Sequence, residues 1–314
     1  MTTMISTDEF YMRRALQLAG YGAGRVAPNP MVGAVVVADG RIIGEGFHAT
    51  FGGPHAEVNA IASVRECDRH LLTCATIYVT LEPCSHYGKT PPCAKLIIDM
   101  GIPNVVTGAP DPNPLVSGRG IRMLREAGIN VTEGVLLDEC LEINRRFMTA
   151  QTHDRPWIQL KWAQSADGFI AGVDKDGKHF PIKFSNPLSS VWMHRERSMA
   201  EAIMVGTNTM NIDNPLLDVR LWAGRNPIKI ECPHKADLHA LVRELRAGGI
   251  TSLMIEGGAA LLGSFIMEGL YDEIRVETAS VTLGKGLRAP VLPNDLNFIS
   301  ESYCRNNIIS VFRR

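Results

Sequence analysis

From Met31 to His48 the chain reads MVGAVVV, then Ala38-Asp39-Gly40, then RIIGEGFH. Two runs rich in β-branched residues around an Asp-Gly step predict a β-hairpin. Before it, Tyr11, Ala15 and Leu18 recur at helical spacing behind Ser6 and Glu9, which form a capping box. After it, His55–Val64 reads as a helix that follows the turn Gly52-Gly53-Pro54, and Ala75–Leu81 as a strand. Pro91-Pro92 opens a helix that runs to Met100, with Gly101 beyond its end. A strand at Val105–Gly108, a helix near Ile121–Ala127, a strand at Ile129–Thr132 and a helix Leu137–Met148 follow. This alternation predicts an α/β domain with a largely parallel sheet covered on both faces.

The stretch Ala150–Pro156 is polar and ends in proline, as a linker does. Beyond it the pattern restarts, with strands at Trp157–Trp162, Ala202–Val205, Ser252–Ile255 and Glu273–Thr278. Helices are expected near Leu188–Met199, Asp237–Ala247 and Ala259–Met267. Two α/β domains are therefore expected, 1–149 and 150–314. The chain's 314 residues, 45% hydrophobic and 21% charged, suffice for two cores without disulfides.

Charge narrows the partners. Lys and Arg number 32 against 33 Asp and Glu, so no global basic field holds a nucleic-acid backbone. The seven scattered cysteines are not a disulfide framework. The first residues lack a basic segment followed by an apolar run, and Met31–Ala38 is too short to span a bilayer. A cytoplasmic protein is expected, with a small molecule as partner rather than nucleic acid or membrane. Nothing in the sequence fixes the oligomeric state, and a homo-oligomer is allowed.

Three features carry the chemistry. His55-Ala56-Glu57 lies at a helix start, Pro83-Cys84 ends a strand, and Cys93 begins the helix after Pro91-Pro92. One His and two Cys give zinc three ligands and leave the fourth position of a tetrahedron open, as catalytic zinc requires. Helix N-termini favour thiolate over thiol. Glu57, two residues from the ligand His, is placed to handle protons without coordinating. Zinc deaminases carry this set as His-x-Glu followed by Pro-Cys-x-x-Cys. Such zinc turns water into a nucleophile near neutral pH, and the Glu moves its proton to a ring nitrogen and then to the departing amine. Here eight residues rather than two separate Cys84 from Cys93. A structural zinc with His86 or Cys74 as fourth ligand is the competing reading.

Pro28-Asn29-Pro30-Met31-Val32-Gly33, Gly46-Phe47-His48, His55-Ala56-Glu57, the run Glu82–Cys93 with its Gly-Lys-Thr-Pro-Pro insertion, and Asp111-Pro112-Asn113-Pro114 together resemble one family. It is the bifunctional riboflavin-biosynthesis deaminase/reductase of bacteria. The resemblance implies a cytidine-deaminase-like α/β/α domain followed by a dihydrofolate-reductase-like α/β domain. It also implies two consecutive reactions. In the first, 2,5-diamino-6-(5-phosphoribosylamino)pyrimidin-4-one loses its ring 2-amino group with the help of Zn2+. In the second, the ribosyl group of the resulting uracil is reduced by NADPH. Matched position by position, Asn29, His48, Lys89 and Thr90 would contact the deaminase substrate.

In the second half, Trp157–Ile170 with Lys161, Ser165, Asp167 and Gly168 resembles the first reductase strand and its turn. Val205–Thr209, Asp213–Leu217 and Arg220 resemble the cofactor and substrate loop, and Ile255-Glu256-Gly257-Gly258 the phosphate-binding turn. The resemblance implies NADPH contacts at Ala163, Thr209, Asp213, Gly258, Ala259, Ala260, Leu261, Leu262, Gly263 and Ser264. It implies substrate contacts at Arg197, Leu217, Arg220 and Glu256. Two departures stand out. Lys183-Phe184-Ser185 replaces a Trp-bearing loop, and only 35 residues, 221–255, separate Arg220 from Glu256, where a further strand and loops are expected. Besides the bifunctional enzyme, two readings remain: a deaminase whose second domain no longer reduces, and a structural-zinc protein that binds RNA. The near-neutral charge and the lack of an aromatic-basic stripe oppose the last.

Overall fold

The computed structural model describes residues 6–86, 91–113 and 117–314, without the Asp213 side chain. The chain divides into two compact units, Met1–Thr152 and His153–Arg314. Among the described residues no helix is long and apolar enough to cross a membrane.

The first unit starts with α1 (Thr7–Gly20), where Ser6 accepts the Glu9 N–H and Glu9 reaches back to the Ser6 N–H. Next come β1 (Gly33–Ala38), β2 (Arg41–Phe47) and α2 (Ala56–Ala62). Asp39 and Gly40, both at positive φ, turn β1 into β2 as a two-residue hairpin requires. A 3-10 segment, Glu66–Cys74, leads to β3 (Thr76–Leu81), α3 (Cys93–Asp99), β4 (Asn104–Ala109) and α4 (Arg119–Glu126). The unit ends in β5 (Asn130–Thr132), α5 (Leu137–Ile143) and α6 (Arg145–Thr152).

The sheet order is β2-β1-β3-β4-β5. Strands β3, β4 and β5 are parallel, whereas β1 runs antiparallel to both β2 and β3. The expected largely parallel sheet is thus a mixed one. The hairpin reverses the chain at Gly40, and the crossover through α2 then returns β3 in the direction of β2. Helices cover both faces. Val35 and Val37 pack with Tyr11, Met12, Ala15 and Cys140, while Ala34, Val36 and Ala38 pack with Ala60, Ile61, Ala94 and Leu124. Burial on both faces explains the unbroken apolar run of β1. Close approach of α1 to β1 requires Gly33, where a Cβ would collide with the Ala15 carbonyl.

The expected single helix Leu137–Met148 is two helices broken at Asn144. The buried Asn144 amide accepts the Met31 N–H and donates to the Met31 carbonyl, each at 2.8 Å. The expected linker also begins later, because Ala150, Gln151 and Thr152 complete α6.

The second unit contains β6 (Trp157–Gln164), β7 (Phe169–Val173), β8 (His179–Pro181), α7 (Pro187–Ser198), β9 (Ala202–Gly206) and α8 (Thr207–Asp213). It continues with β10 (Ile228–Cys232), α9 (Leu238–Ala247), β11 (Ser252–Glu256), α10 (Ala259–Met267) and β12 (Glu273–Thr278). The last strands are β13 (Leu287–Arg288), β14 (Asn297–Cys304) and β15 (Asn307–Arg313). Seven strands pair in the order β10-β9-β11-β6-β12-β15-β14, and a small sheet pairs β13-β7-β8. The first five are parallel, and β15 and β14 extend the sheet as an antiparallel hairpin. Ile158, Leu160, Met204, Leu253, Ile255, Leu262 and Phe265 form its core.

Candidate active sites

Three element boundaries of the first unit meet at one point. His55 is the N-cap residue of α2, Cys84 follows the end of β3, and Cys93 is the first residue of α3. His55 Nδ1 lies 3.6 Å from Cys84 Sγ and 3.3 Å from Cys93 Sγ. All three donor atoms fall within 4.8 Å of one another. Tetrahedral zinc with ordinary Zn–S and Zn–N bonds needs ligand atoms roughly 3.5–3.8 Å apart. The triangle and its donor set fit that ion. Neither His86 nor Cys74 joins the cluster, so among the described residues it has three ligands and an open fourth position.

The electrostatics favour a cation. The Cys93 hydrogen bond and then the His55 ring hold the Cys84 thiol down to about 4. The bond to Cys84 and burial push Cys93 up, so Cys84 ionises first of the pair. The Cys84 bond in turn raises His55. The Cys93 N–H donates to Cys84 Sγ at 3.3 Å, which orients that sulfur.

Glu57 sits in the first turn of α2, buried, with Cys93, Cys84 and His55 as neighbours. Burial, then the Cys84 charge, pushes its carboxyl up to about 7. His48 and Asn29 come together on the same wall. The Asn29 amide lies 3.2 Å from His48 Nε2, and His48 Nδ1 lies 2.9 Å from the Pro54 carbonyl. That carbonyl can only accept, so Nδ1 carries the proton and Nε2 accepts. Burial keeps the His48 ring below the usual imidazole range. Its ring centroid is 5.7 Å from that of His55. Lys89 and Thr90 lie outside the described residues.

Sequence reasoning gave Glu82 no role of its own. Its buried carboxylate accepts the N–H groups of Asp111, Gly118, Gly120 and Ile121 at 2.9–3.4 Å. It thereby anchors the N-terminus of α4 beside the Cys84 loop. Its place in Glu82-Pro83-Cys84 was the available signal.

The second unit holds a cavity of about 1080 Å³ at the C-terminal ends of β6, β9, β10 and β11. Ligands of parallel α/β sheets bind at this end. Ala163, Thr209, Gly258, Ala259, Ala260, Leu261 and Ser264 line it, as do Arg197, Leu217 and Glu256. Gly258 is the N-cap residue of α10, so the N–H groups of that helix's first turn face the cavity. Arg197 donates two 2.8 Å bonds to Glu256 and one at 3.2 Å to the Asp218 carbonyl. Three expected contacts do not line the cavity. Leu262 is fully buried in the core, Gly263 in the middle of α10 is not among the lining residues, and the exposed Arg220 pairs with Asp218 at 2.5 Å. The Asp213 backbone ends α8, and its side chain falls outside what the structure describes.

Two further lining groups were not singled out as contacts. Lys161 on β6 is buried, and burial lowers its ammonium below the usual lysine range. The turn Pro233–Asp237, between β10 and α9, supplies His234 and Lys235. The exposure of that turn gives it no periodicity to read.

Fold and sites together define a two-domain protein with a His/Cys/Cys metal centre in a deaminase-type unit and a cofactor-sized cavity in an α/β unit. Residues 5–109 match the cytidine and deoxycytidylate deaminase zinc-binding region. Residues 156–232 and 225–308 match the RibD C-terminal domain. The riboflavin biosynthesis protein RibD of Aquifex aeolicus is 39% identical, with 89% of each chain covered. That of Escherichia coli is 34% identical over 90% of each. A crystal structure of the Thermotoga maritima diaminohydroxyphosphoribosylaminopyrimidine deaminase/5-amino-6-(5-phosphoribosylamino)uracil reductase superposes with TM-score 0.88 at 36% identity, covering 98% of both chains. Acinetobacter baumannii RibD superposes with TM-score 0.86 at 29% identity, covering 99% of both. The chain belongs to the RibD family of riboflavin-biosynthesis proteins. The Aquifex alignment runs over 324 positions, more than this chain's 314 residues, although 89% of the chain takes part. The chain therefore lacks positions its relative has, in keeping with the short 221–255 stretch.

Proposed function

We propose that this protein performs two consecutive steps on one phosphoribosylated pyrimidine. The first unit hydrolyses the 2-amino group from 2,5-diamino-6-(5-phosphoribosylamino)pyrimidin-4-one. The second reduces the ribosyl group of 5-amino-6-(5-phosphoribosylamino)uracil to ribityl with NADPH. The observation that carries this reading is the open His55–Cys84–Cys93 triangle with the buried Glu57 carboxyl beside it.

Zinc, when bound there, supplies the Lewis acidity that makes water nucleophilic near neutral pH. Glu57 takes a proton from that water, passes it to the ring nitrogen, and protonates the leaving amine. A C–O bond forms at ring C2, the exocyclic C2–N bond breaks, and ammonia departs with the proton that Glu57 relays from the added hydroxyl. A carboxyl poised near neutrality, as burial makes Glu57, can both accept and return the proton. Asn29 and His48, already paired, offer an amide and a neutral imidazole to the heterocycle. Lys89 and Thr90 remain proposed substrate contacts.

In the second unit Thr209, Gly258, Ala259, Ala260, Leu261 and Ser264 would hold NADPH, with Ala163 beside the ring end and Asp213 at the end of α8. Arg197, Leu217 and Glu256 would hold the substrate, and Arg220 would turn from Asp218 to meet its phosphate. The buried Lys161 is the group on this wall that can exchange a proton as hydride reaches the sugar. One assay tests both halves: the diaminopyrimidine phosphate is supplied with and without NADPH, and the products are identified. Ribityl product is expected with NADPH, and deaminated ribosyl product alone without it. Deamination without NADPH consumption would leave the deaminase reading standing and remove the reductase one.

A further inference from the structure

We propose that Glu277 is a positioning residue for reduction. Through Ser185 and Asn307 it latches the loop between β8 and α7, which carries the Phe184 wall of the cavity, to the start of β15. The inference rests on the reductase reading above and gives a role to a buried carboxylate which that reading leaves unused.

The loop, residues 182–186, belongs to no helix or strand. Yet Ile182 and Phe184 line the same cavity as Lys161 and Ala163. Side chains take its backbone's place in fixing it. Ser185 Oγ donates to Glu277 Oε2 and Asn307 Nδ2 donates to Glu277 Oε1, both at 2.6 Å. The same Asn307 amide donates to the Phe184 carbonyl at 3.0 Å, and Asn186 Nδ2 donates to the Cys304 carbonyl at 2.6 Å. Residues 184, 185 and 186 are thus each tied to β12 or to the β14–β15 hairpin, 92 to 123 residues further along.

The anchor stands close to the chemistry. Along the parallel pair β12–β6, Glu277 lies beside Ala163 and Arg275 beside Lys161. Side-by-side residues of a sheet share a face, so Glu277 is on the face that carries Lys161. Burial lowers the Lys161 ammonium, and the Glu256 charge, then that of Glu277, opposes the shift while Arg197 and Arg275 add to it. Glu277 itself is 2% exposed, and the donors that hold it are neutral. Burying a carboxylate on neutral donors costs desolvation energy that an apolar packing contact would not. What two short bonds from a fixed carboxylate add is placement of the loop to a fraction of an ångström. Hydride transfer depends on placement at that scale.

Steady-state oxidation of NADPH by the full-length zinc-loaded protein, supplied with 5-amino-6-(5-phosphoribosylamino)uracil, tests this. Glu277→Ala should lower the reductase kcat about ten-fold or more, and change the KM for NADPH by no more than about two-fold. Ser185→Ala, a milder change at a half-buried position, should lower kcat about five-fold, whereas Ser185→Thr keeps the hydroxyl and should stay within about two-fold of wild type. The double variant should lose no more than Glu277→Ala alone, because both changes open one latch. If Glu277→Ala does not fold, the Ser185 pair decides. Ala variants with wild-type kcat, whether or not their unfolding midpoints fall, would show that the network only braces the fold. That result would overturn the assignment and leave the reductase reading intact. Wild-type protein that oxidises no NADPH would overturn both.

Discussion

Arg197 and Glu256 form a two-bonded ion pair in the wall of the second unit's cavity, with both bonds at 2.8 Å and each side chain about 13% exposed. Burial pushes the Glu256 carboxyl up, but the Arg197 bonds and charge outweigh it and leave it below its ordinary value. Removing one partner leaves the other charge buried without compensation, at a cost of about 3–5 kcal/mol. Glu256→Ala should therefore lower the denaturant midpoint of the second unit and abolish reduction. Arg197→Met with Glu256→Leu should recover much of the stability but none of the reduction. A double variant no more stable than Glu256→Ala would show that the pair stabilises rather than merely compensates.

Asn144 joins the α5–α6 break to the strand region before β1. Asn144→Ala would strip the Met31 N–H and carbonyl of their partners inside the protein. A buried unsatisfied group costs about 1–3 kcal/mol. Urea unfolding of the first unit should show a loss of this size. Because Met31 follows Asn29 by two residues, deaminase KM should rise more than kcat falls. An unchanged midpoint would mean that the two groups find other partners.

These pairings mark where the sequence is legible. The capping box at Ser6 and Glu9 and the Asp39-Gly40 turn are local chemistry, and both stand as read. The metal triangle was legible for a different reason: His, Cys and Cys fall at a helix start, a strand end and a second helix start, and those boundaries share one end of a sheet. Asn144 was not legible, since its partner is 113 residues away and helical periodicity runs straight through it. The antiparallel β1–β3 pairing depends on which edge the crossover returns to, which alternation alone does not tell. The β14–β15 hairpin was missed because β14 is almost wholly exposed and turns at Arg305, at φ 56, rather than at glycine. Arg220 carried a family role on motif grounds, yet its guanidinium faces Asp218.

Asp167 sets a pH dependence that can be measured. Its carboxylate accepts Ser165 Oγ at 2.6 Å and the N–H groups of Leu283 and Gly284 at 2.7–3.2 Å. The Ser165 bond first, then these backbone donors, hold it down to about 2. A carboxyl depressed in the folded state stabilises fully above its unfolded value and loses that contribution as pH falls through its folded one. Wild type should thus exceed Asp167→Asn in stability by a constant margin above about pH 5. The margin should shrink from about pH 4 toward pH 2. Thermal melts of both proteins across that range provide the check. A margin independent of pH would mean that neutral asparagine makes the same bonds equally well.

Glu57 offers the sharpest test of the first site, because it is expected to act on protons and not on the metal. Glu57→Gln keeps the shape of the side chain and leaves His55, Cys84 and Cys93 untouched. Metal analysis should still find about one zinc per chain, with one nitrogen and two sulfur ligands by X-ray absorption. Deamination should fall by about 10²–10⁴-fold, the usual worth of a positioned acid–base group. The fall should appear in kcat, since the proton is moved in the transition state and not in the bound ground state. Acid should release the metal from wild type and variant alike, because two thiolates and a neutral imidazole must be protonated in turn. Near-normal turnover in the Gln variant would assign Glu57 to structure and leave the proton transfers without a carrier. Loss of zinc together with activity would place Glu57 in the ligand set instead.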